Sequence, residues 1–301
     1  MPPAISEVVV FGYDRFTTMT TSQLLGRAGI AHTVLCHTAD QRRRFLAGGR
    51  VAGDLVVTGC PRGLAYQRNA ALDRLAPGQW ALWLVDDLVR VEQLADYDTW
   101  ADVGRVPVTP ANSALWRRRF GTPLGMRGFM ARCGQLVAEA ERRRAWLVGF
   151  AGYDNPLFRA RHWKLNCLAD GRAWLVRAGR LRFDEHVQMV DDVCWTAQNL
   201  LAYGTVLVDA WLLPRCGRYT GGGFGSITDR LPQKRREVAY LAATYPEVCA
   251  VRRKPGWPDG THVVIRTLPR SWAHSPQRAA ARRRLRPPVR AAAPPVAQRG
   301  R

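Results

Sequence analysis

Four short apolar segments in the first 87 residues, separated by stretches of helical character, constrain the fold more than any other feature of this chain. We predict three helices between them, at residues 20–29, 38–49 and 63–78, because threonines or glycines stand at their ends. Strands that are apolar on both faces and alternate with helices are typical of a parallel sheet covered by helices. We therefore predict an α/β fold with a mostly parallel sheet. The four segments are EVVVFGY (7–13), HTVLCH (32–37), DLVVTG (54–59) and WALWLVDD (80–87).

The rest of the chain is less regular. From residue 268 onward it contains no acidic residue and is dominated by Arg, Pro and Ala, a composition that does not form a core. We predict one domain over residues 1–267 and a disordered basic tail over 268–301. Within the domain we predict a helix at 126–148, a strand and turn at 146–158, a β-hairpin at 173–185, a helix at 190–204 and a strand at 205–214.

The net charge of +21 and the pI of about 10.9 predict attraction to a polyanion, either a nucleic acid or an anionic membrane face. Nearly all of this charge is arginine, because Lys occurs only at positions 164, 234 and 254. Arginine clusters are the candidate contacts to nucleic-acid phosphates. They are Arg42, Arg43 and Arg44; Arg117, Arg118 and Arg119; and Arg282, Arg283 and Arg284, with a further cluster at 142–144.

The seven cysteines are widely spaced, odd in number and form no CxxC pair, which argues against a zinc ribbon or a disulfide framework. The first residues lack the pattern of a secretory signal, and no apolar run is long enough to span a bilayer. The sequence therefore predicts a cytoplasmic protein that does not use a membrane.

Two adjacent carboxylates, Asp86 and Asp87, end the fourth apolar segment. Ligands of an open parallel sheet bind beyond the carboxyl ends of its strands, and two carboxylates at that edge can hold a divalent cation through oxygen. The alternative is a turn in which one Asp caps the residues that follow.

Two further motifs have both a structural and a functional interpretation. Arg68 and Asn69 lie within GLAYQRNAAL (63–72), which is either a plain amphipathic helix or a helix that meets a nucleotide beside the sheet. Asp191 and Asp192 open a predicted helix, where acids are favoured by the helix dipole. A carboxylate that faces an acceptor hydroxyl can instead serve as a general base.

A glycine-rich segment, GRYTGGGFGSITDR (217–230), shows no periodicity. It is either a mobile linker or a lid whose bare backbone N–H groups approach a phosphate. The glycines concerned are Gly221, Gly222, Gly223 and Gly225.

The order of these motifs over residues 6–230 resembles the GT-A glycosyltransferases, particularly the inverting, family-two-like group. The resemblance implies a GT-A-like, Rossmann-related sheet, with a donor-binding half at about 1–110 and an acceptor-side half at about 111–267. It implies a nucleotide-sugar donor and a divalent metal, Mn²⁺ or Mg²⁺, at Asp86 and Asp87. It also implies that Asp192 or Asp191 is the base. The implied donor-binding residues are Phe11, Gly12, Arg15, Arg68, Asn69, Asp86 and Asp87, and His186 and His262 are candidates for a later metal ligand.

Several segments together resemble a narrower group, the TET-associated glycosyltransferases of bacteriophages. These are GFAGYDNPLF (149–158), QMVDDVCWTAQNLLAYG (188–204) and RYTGGGFGS (218–226). The resemblance implies transfer of a sugar to a 5-hydroxymethylpyrimidine in phage DNA, made by a companion TET-like dioxygenase, in the host cytoplasm. The positive charge independently favours a polyanionic acceptor.

Two other functions are compatible with the same sequence. One is a glycosyltransferase that acts on a glycan, a lipid carrier or a protein. The other is a non-catalytic nucleic-acid-binding protein that retains a degenerate glycosyltransferase fold and tolerates loss of Asp192.

Overall fold

The structure is a computed structural model and describes residues 4–94, 120–152, 163–217, 227–253 and 260–284. Its helices are α1 (Thr20–Arg27), α2 (Ala39–Gly48), α3 (Leu64–Asp73), α4 (Met126–Arg143), α5 (Asp191–Tyr203), α6 (Ile227–Thr244) and α7 (Pro276–Arg284), with a 3-10 helix at Arg270–His274. Its first strands are β1 (Ile5–Phe11), β2 (Thr33–Cys36), β3 (Asp54–Val57), β4 (Trp80–Val85), β5 (Leu88–Leu94) and β6 (Phe120–Leu124). The later strands are β7 (Leu147–Phe150), β8 (Trp163–Leu165), β9 (Ala173–Arg177), β10 (Leu207–Asp209), β11 (Leu212–Cys216), β12 (Cys249–Arg253) and β13 (Thr261–Ile265).

The largest sheet has eight strands in the order β3-β2-β1-β4-β9-β7-β10-β8. Strands β1, β2, β3 and β4 are mutually parallel where they pair, as are β7 and β10. Only β9, between β4 and β7, and β8, at the edge, run antiparallel to their neighbours. The prediction of an α/β fold with a mostly parallel sheet is confirmed. Two smaller antiparallel sheets, β11-β5-β6 and β12-β13, complete the described part.

Both faces of the central strands of the large sheet are buried, which explains why these strands read as continuous apolar runs. On β4, Ala81 and Trp83 belong to the core on one face, while Leu82 and Leu84 belong to the core on the other. The predicted starts of α1 and α2 are also observed, and α1 begins at Thr20. Thr38 caps α2 by accepting a hydrogen bond from the backbone N–H of Gln41 at 3.1 Å.

Four predicted elements differ from the observed ones. The helices predicted at 63–78 and 126–148 end at Asp73 and Arg143, and the strand predicted at 205–214 is divided into β10 and β11. A turn separates these two strands, because the buried carboxylate of Asp209 accepts the N–H groups of Trp211 and Leu212 at 2.7 and 3.1 Å. The β-hairpin predicted at 173–185 is wrong: β9 ends at Arg177, and its continuation is held by side chains of α3 instead of by a second strand.

The folded region extends beyond residue 267, so the prediction of disorder from residue 268 is wrong for residues 270–284. Trp272 is buried against α5 and donates its indole N–H to the carbonyl of Leu200 at 3.3 Å. The guanidinium of Arg278 donates to the carbonyls of Leu201 and Ala202 at 3.1 and 2.7 Å. These carbonyls lie in the last turn of α5, which has no helical partner for them. The prediction from composition therefore missed the burial of Trp272 and the capping of α5 by Arg278. Residues 285–301 lie outside the described part.

Replacing Arg278 with Ala is expected to destabilise the fold, because the carbonyls at the end of α5 lose a charged donor. Hydrogen bonds to charged groups contribute about 1.5–3 kcal/mol, and we expect a loss of that size in the free energy of unfolding. Urea unfolding measures it, and Arg282→Ala, which removes an exposed arginine of the same helix, is the matched control. Equal stability of both variants would show that Arg278 does not hold this end of α5.

Candidate active site at the switch point of the sheet

Several of the predicted site residues lie at the carboxyl ends of strands of the large sheet, where the strand order reverses. From β1 the chain passes outward to β2 and β3, and it then returns to place β4 on the other side of β1. Ligands of open α/β sheets bind at such a switch point, beyond the carboxyl ends of the strands. The loop after β1, the turn after β4 and the start of the antiparallel β9 share this edge, since Leu84 pairs with Ala173.

The loop after β1 and the turn after β4 are joined by Arg15, Asp86 and Asp87. Arg15 Nη1 lies 3.1 Å from Asp86 Oδ1 and also ion-pairs with Asp87 Oδ2. The second oxygen of Asp86 accepts the backbone N–H of Tyr13 at 3.2 Å. Two carboxylates that would repel each other therefore share one guanidinium nitrogen, and this explains how a buried strand can end on them.

A buried threonine holds the turn that carries the two aspartates. The hydroxyl of Thr21, on α1, donates to the carbonyl of Val85 at 2.5 Å and accepts the N–H of Leu88 at 2.8 Å. On the far side, the N–H of Gly217 donates to the carbonyl of Asp87 at 2.9 Å. The chain can therefore turn directly from β4 into β5 while both carboxylates remain at the sheet edge.

Burial dominates the electrostatics of Asp86, which is 7% exposed. Desolvation raises the pKa of Asp86 to about 7, Arg15 opposes this rise, and Asp87 adds to it. The pKa of Arg15 is raised: burial alone would lower it, but the two carboxylates more than compensate. The charge of the cluster therefore changes near neutral pH.

Arg68 is enclosed beneath the site. It is 2% exposed, its guanidinium carbon lies 4.2 Å from the centre of the Trp174 ring, and it ion-pairs with Asp191. Burial lowers the pKa of Arg68 to about 9, and the nearby Asp192 carboxylate opposes that shift. Arg68 therefore acts on the site through the acidic pair of α5.

Asn69 holds the segment that follows β9. Its side-chain oxygen accepts the N–H of Phe183 at 2.8 Å, and its amide nitrogen donates to the carbonyl of Phe183 at 3.1 Å and to Glu185 at 3.0 Å. Phe183 in turn stacks on Trp195 of α5 with ring centres 3.9 Å apart. These contacts fix the approach to α5, and a direct contact of Asn69 with a donor remains a prediction.

Asp191 and Asp192 have different environments although they are adjacent. Asp191 ion-pairs with Arg68, whereas a carboxylate oxygen of Asp192 accepts the backbone N–H of Val193 at 2.8 Å. Burial raises the pKa of Asp192 to about 6, and the carboxylate of Asp170 raises it further, against the effects of the Val193 N–H and Arg68. A carboxylate with a pKa near the working pH is suited to be a general base. The structure thus distinguishes the two aspartates, which sequence reasoning left as alternatives.

The sequence analysis did not identify two charged residues that lie in the chain between the turn after β4 and the start of α5. Asp170 and Arg172 form an ion pair at 3.3 Å just before β9, and the carbonyl of Arg172 accepts the N–H of Val85 at 3.1 Å. The intervening Gly171 lies against Asp192, since a Cβ added there would be 3.4 Å from the Cβ of Asp192. The only sequence signal was polar residues before an apolar strand, which is also typical of an ordinary turn.

Glu237 of α6 is a third missed residue. It is buried, and its carboxylate accepts the N–H groups of Gln188, Met189 and Val190 at 2.9, 2.7 and 3.1 Å. These three groups immediately precede α5. Glu237 therefore holds the entry to the helix that carries Asp191 and Asp192, over a separation that sequence spacing does not indicate.

The remaining candidate residues fall into three groups. Phe11 and Gly12 are buried, and a Cβ on Gly12 would lie 3.0 Å from both the Leu35 carbonyl and the Phe45 ring, so both residues pack internally. The arginines Arg42, Arg43 and Arg44 on α2 and Arg282 and Arg283 on α7 are exposed. Arg117, Arg118, Arg119, the side chain of Arg284, and Gly221, Gly222, Gly223 and Gly225 lie outside the described residues.

The two histidine candidates lie outside α5 and the turn after β4. His186 is exposed and its Nδ1 lies 3.0 Å from Asp184, while His262 lies on β13. Among the described residues, no three His, Cys, Asp or Glu side chains form a group that could hold a metal. At Asp86 and Asp87, one nitrogen of Arg15 contacts both carboxylates, and this positive charge does not fit a divalent metal ion on the pair as it stands.

No helix in the part of the chain that the structure describes is both long and apolar enough to cross a membrane. Comparison with protein-family models gives no match for this chain, and comparison with curated proteins gives none either.

Proposed function

We propose that the protein is an inverting glycosyltransferase of GT-A-like fold that transfers a sugar from a nucleotide-sugar to the hydroxyl of a 5-hydroxymethylpyrimidine in DNA. The observation that carries this proposal is that the segment before β9 contacts the elements of both acidic pairs at the switch point of a mostly parallel sheet: the carbonyl of Arg172 accepts the N–H of Val85, and Gly171 lies against Asp192. One pair is fixed by Arg15. The other includes Asp192, whose pKa of about 6 suits a base.

The proposed step is a single displacement. Asp192 accepts the proton of the acceptor hydroxyl while that oxygen forms a bond to the anomeric carbon of the donor. The bond from this carbon to the diphosphate breaks on the opposite face, and the diphosphate leaves with the electron pair. Asp86 and Asp87 orient the donor by accepting hydrogen bonds from its hydroxyl groups, and Arg68 holds Asp191 away from the reaction.

DNA as the acceptor is supported by the charge of +21 and by the exposed arginines of α2 and α7. A TET-like dioxygenase would supply the hydroxymethyl group. The reactive hydroxyl projects into the major groove of intact DNA, and flipping the base into the site would cost roughly a few kcal/mol.

The direct test offers the purified protein hydroxymethylated DNA and a panel of nucleotide-sugars, followed by mass analysis of the digested nucleosides. We expect a hexose or N-acetylhexosamine mass on the modified nucleoside, and none with unmodified DNA. Transfer to a glycan, lipid carrier or protein but not to DNA would contradict the proposed acceptor. Absence of transfer with every donor would contradict the proposed activity.

The pH dependence should reveal Asp192. Protonation removes the base, so kcat/KM is expected to fall as the pH drops below about 6. The groups that set this limb are Asp170, which raises the pKa of Asp192, and Arg68, which lowers it. Initial rates between pH 5 and 8, with DNA binding measured over the same range as the control, check this, and the limb should persist in Asp86→Asn, which lacks the other site carboxylate with a raised pKa. A rate that stays constant down to pH 5, as expected for an unperturbed Asp with a pKa of about 3.9, would contradict the assignment.

The residues after Arg284 should contribute to DNA binding through their charge. They include four arginines, Arg286, Arg290, Arg299 and Arg301, and no acid. Each phosphate contact contributes about 0.9 to the slope of log K against log salt, so a chain shortened after Arg284 should have a slope shallower by up to about 3.6. Its kcat at saturating DNA should be unchanged. Equal salt slopes would instead assign the DNA contacts to clusters such as Arg42, Arg43 and Arg44.

A further inference from the structure

A single guanidinium nitrogen lies between the two carboxylates of the turn after β4. Arg15 Nη1 contacts Asp86 Oδ1 at 3.1 Å and also ion-pairs with Asp87 Oδ2. The three side chains are 14%, 9% and 16% exposed, so water only weakly screens their charges. Arg15 therefore supplies the positive charge that the two aspartates share.

One further oxygen of the pair is also used by the protein. Asp86 Oδ2 accepts the N–H of Tyr13 at 3.2 Å. The third nearby acid, Asp170, is neutralised by Arg172 at 3.3 Å. Mg²⁺ requires near-octahedral oxygen coordination, and Mn²⁺ favours the same carboxylate and water ligands, at short distances from each oxygen. A positive group already in contact with both carboxylates repels an incoming divalent ion strongly at low dielectric.

We propose that Arg15 serves as the permanent cation of this site, so that Asp86 and Asp87 bind donor hydroxyls without a divalent metal. The proposal rests on the proposed function and departs from what the family resemblance implies about a metal. Arg15 acts as a positioning residue, because it keeps two adjacent carboxylates side by side and oriented. Its Nε, which is buried and makes no hydrogen bond within the described residues, leaves a donor available on the same guanidinium.

The test is a titration of the protein with Mn²⁺ alone. Electron paramagnetic resonance measures the free ion during the titration, and calorimetry measures the heat of binding. The wild-type protein should show no Mn²⁺ binding that depends on Asp87. Arg15→Ala should raise the affinity for Mn²⁺ by about a hundredfold or more, since it removes the repelling charge a few ångströms away. Asp87→Asn in the Arg15→Ala background should abolish that gain. Arg15→Lys, which keeps the charge, should bind as weakly as wild type, and Arg50→Ala, which removes an exposed arginine, is the matched control.

If the wild-type protein binds Mn²⁺ and Asp87→Asn abolishes that binding, the proposal is wrong. This comparison does not depend on whether an Arg15 variant folds. Wild-type binding that Asp87→Asn leaves unchanged is binding elsewhere and agrees with the proposal. Where the transfer assay gives a product, a chelator should leave the rate unchanged, and loss of the rate would also overturn the proposal. Absence of transfer under every condition would contradict the proposed function but leave the Mn²⁺ result valid.

Discussion

Replacing Asp192 with Asn is expected to lower kcat for sugar transfer by about 10²–10⁴, because the acceptor hydroxyl then has no group to take its proton. Binding of the nucleotide-sugar should be nearly unchanged, since Asp86, Asp87 and Arg15 are intact. Single-turnover rates and donor affinity, measured separately, check the two statements.

Measurements of the free energy of unfolding distinguish loss of the base from damage to the fold. Burial raises the pKa of Asp192 above that of an unfolded Asp. Between about pH 4 and 6, Asp192 is therefore protonated in the native state and ionised in the unfolded state. Ionised Asp192 therefore lowers stability as the pH rises through this window, and Asp192→Asn should be at least as stable as wild type at pH 7. Asp54→Asn, at an exposed position on β3, is the matched control for rate and stability. Wild-type turnover in Asp192→Asn would exclude this residue as the base.

Replacing Asp191 with Asn is expected to have its main effect on stability. Arg68 is 2% exposed and would lose its ion-pair partner, which leaves Asp192 as the nearby carboxylate. Removing one partner of a buried ion pair typically costs about 3–5 kcal/mol, and we expect a loss of that size in the free energy of unfolding. Urea unfolding at pH 7 measures it.

The double variant Arg68→Met with Asp191→Asn is the control for this interpretation. Because it removes the buried charge together with its partner, it should recover much of the stability lost in Asp191→Asn. If the single variant is as stable as wild type, the ion pair does not hold the site. If Asp191→Asn folds but abolishes transfer while Asp192→Asn turns over normally, the base is Asp191.

The apolar pattern of the sequence was sufficient to predict where the strands that lead to the candidate site end. Strands that are buried on both faces must be apolar throughout, so their ends stand out wherever charge begins, as at Asp86 and Asp87. The acidic start of α5 was recognised in the same way, because acids at a helix N-terminus form a local pattern. These features depend on residues that are close in the chain, and the predicted positions of β1, β2, β3 and β4 agree with the structure.

What each charged residue contacts was decided only by the tertiary structure. Nothing near Arg15 in sequence indicates that it reaches aspartates 71 and 72 residues away, and nothing near Arg68 indicates that it lies beneath α5. The same is true of Glu237, which holds a segment 47–49 residues earlier. Burial and neighbouring charge set the pKa of a carboxylate, and both come from elements that folding brings together. Asp191 and Asp192 are the same residue type at adjacent positions, and only the packing of Arg68 and Asp170 around them makes one an ion-pair partner and the other a candidate base.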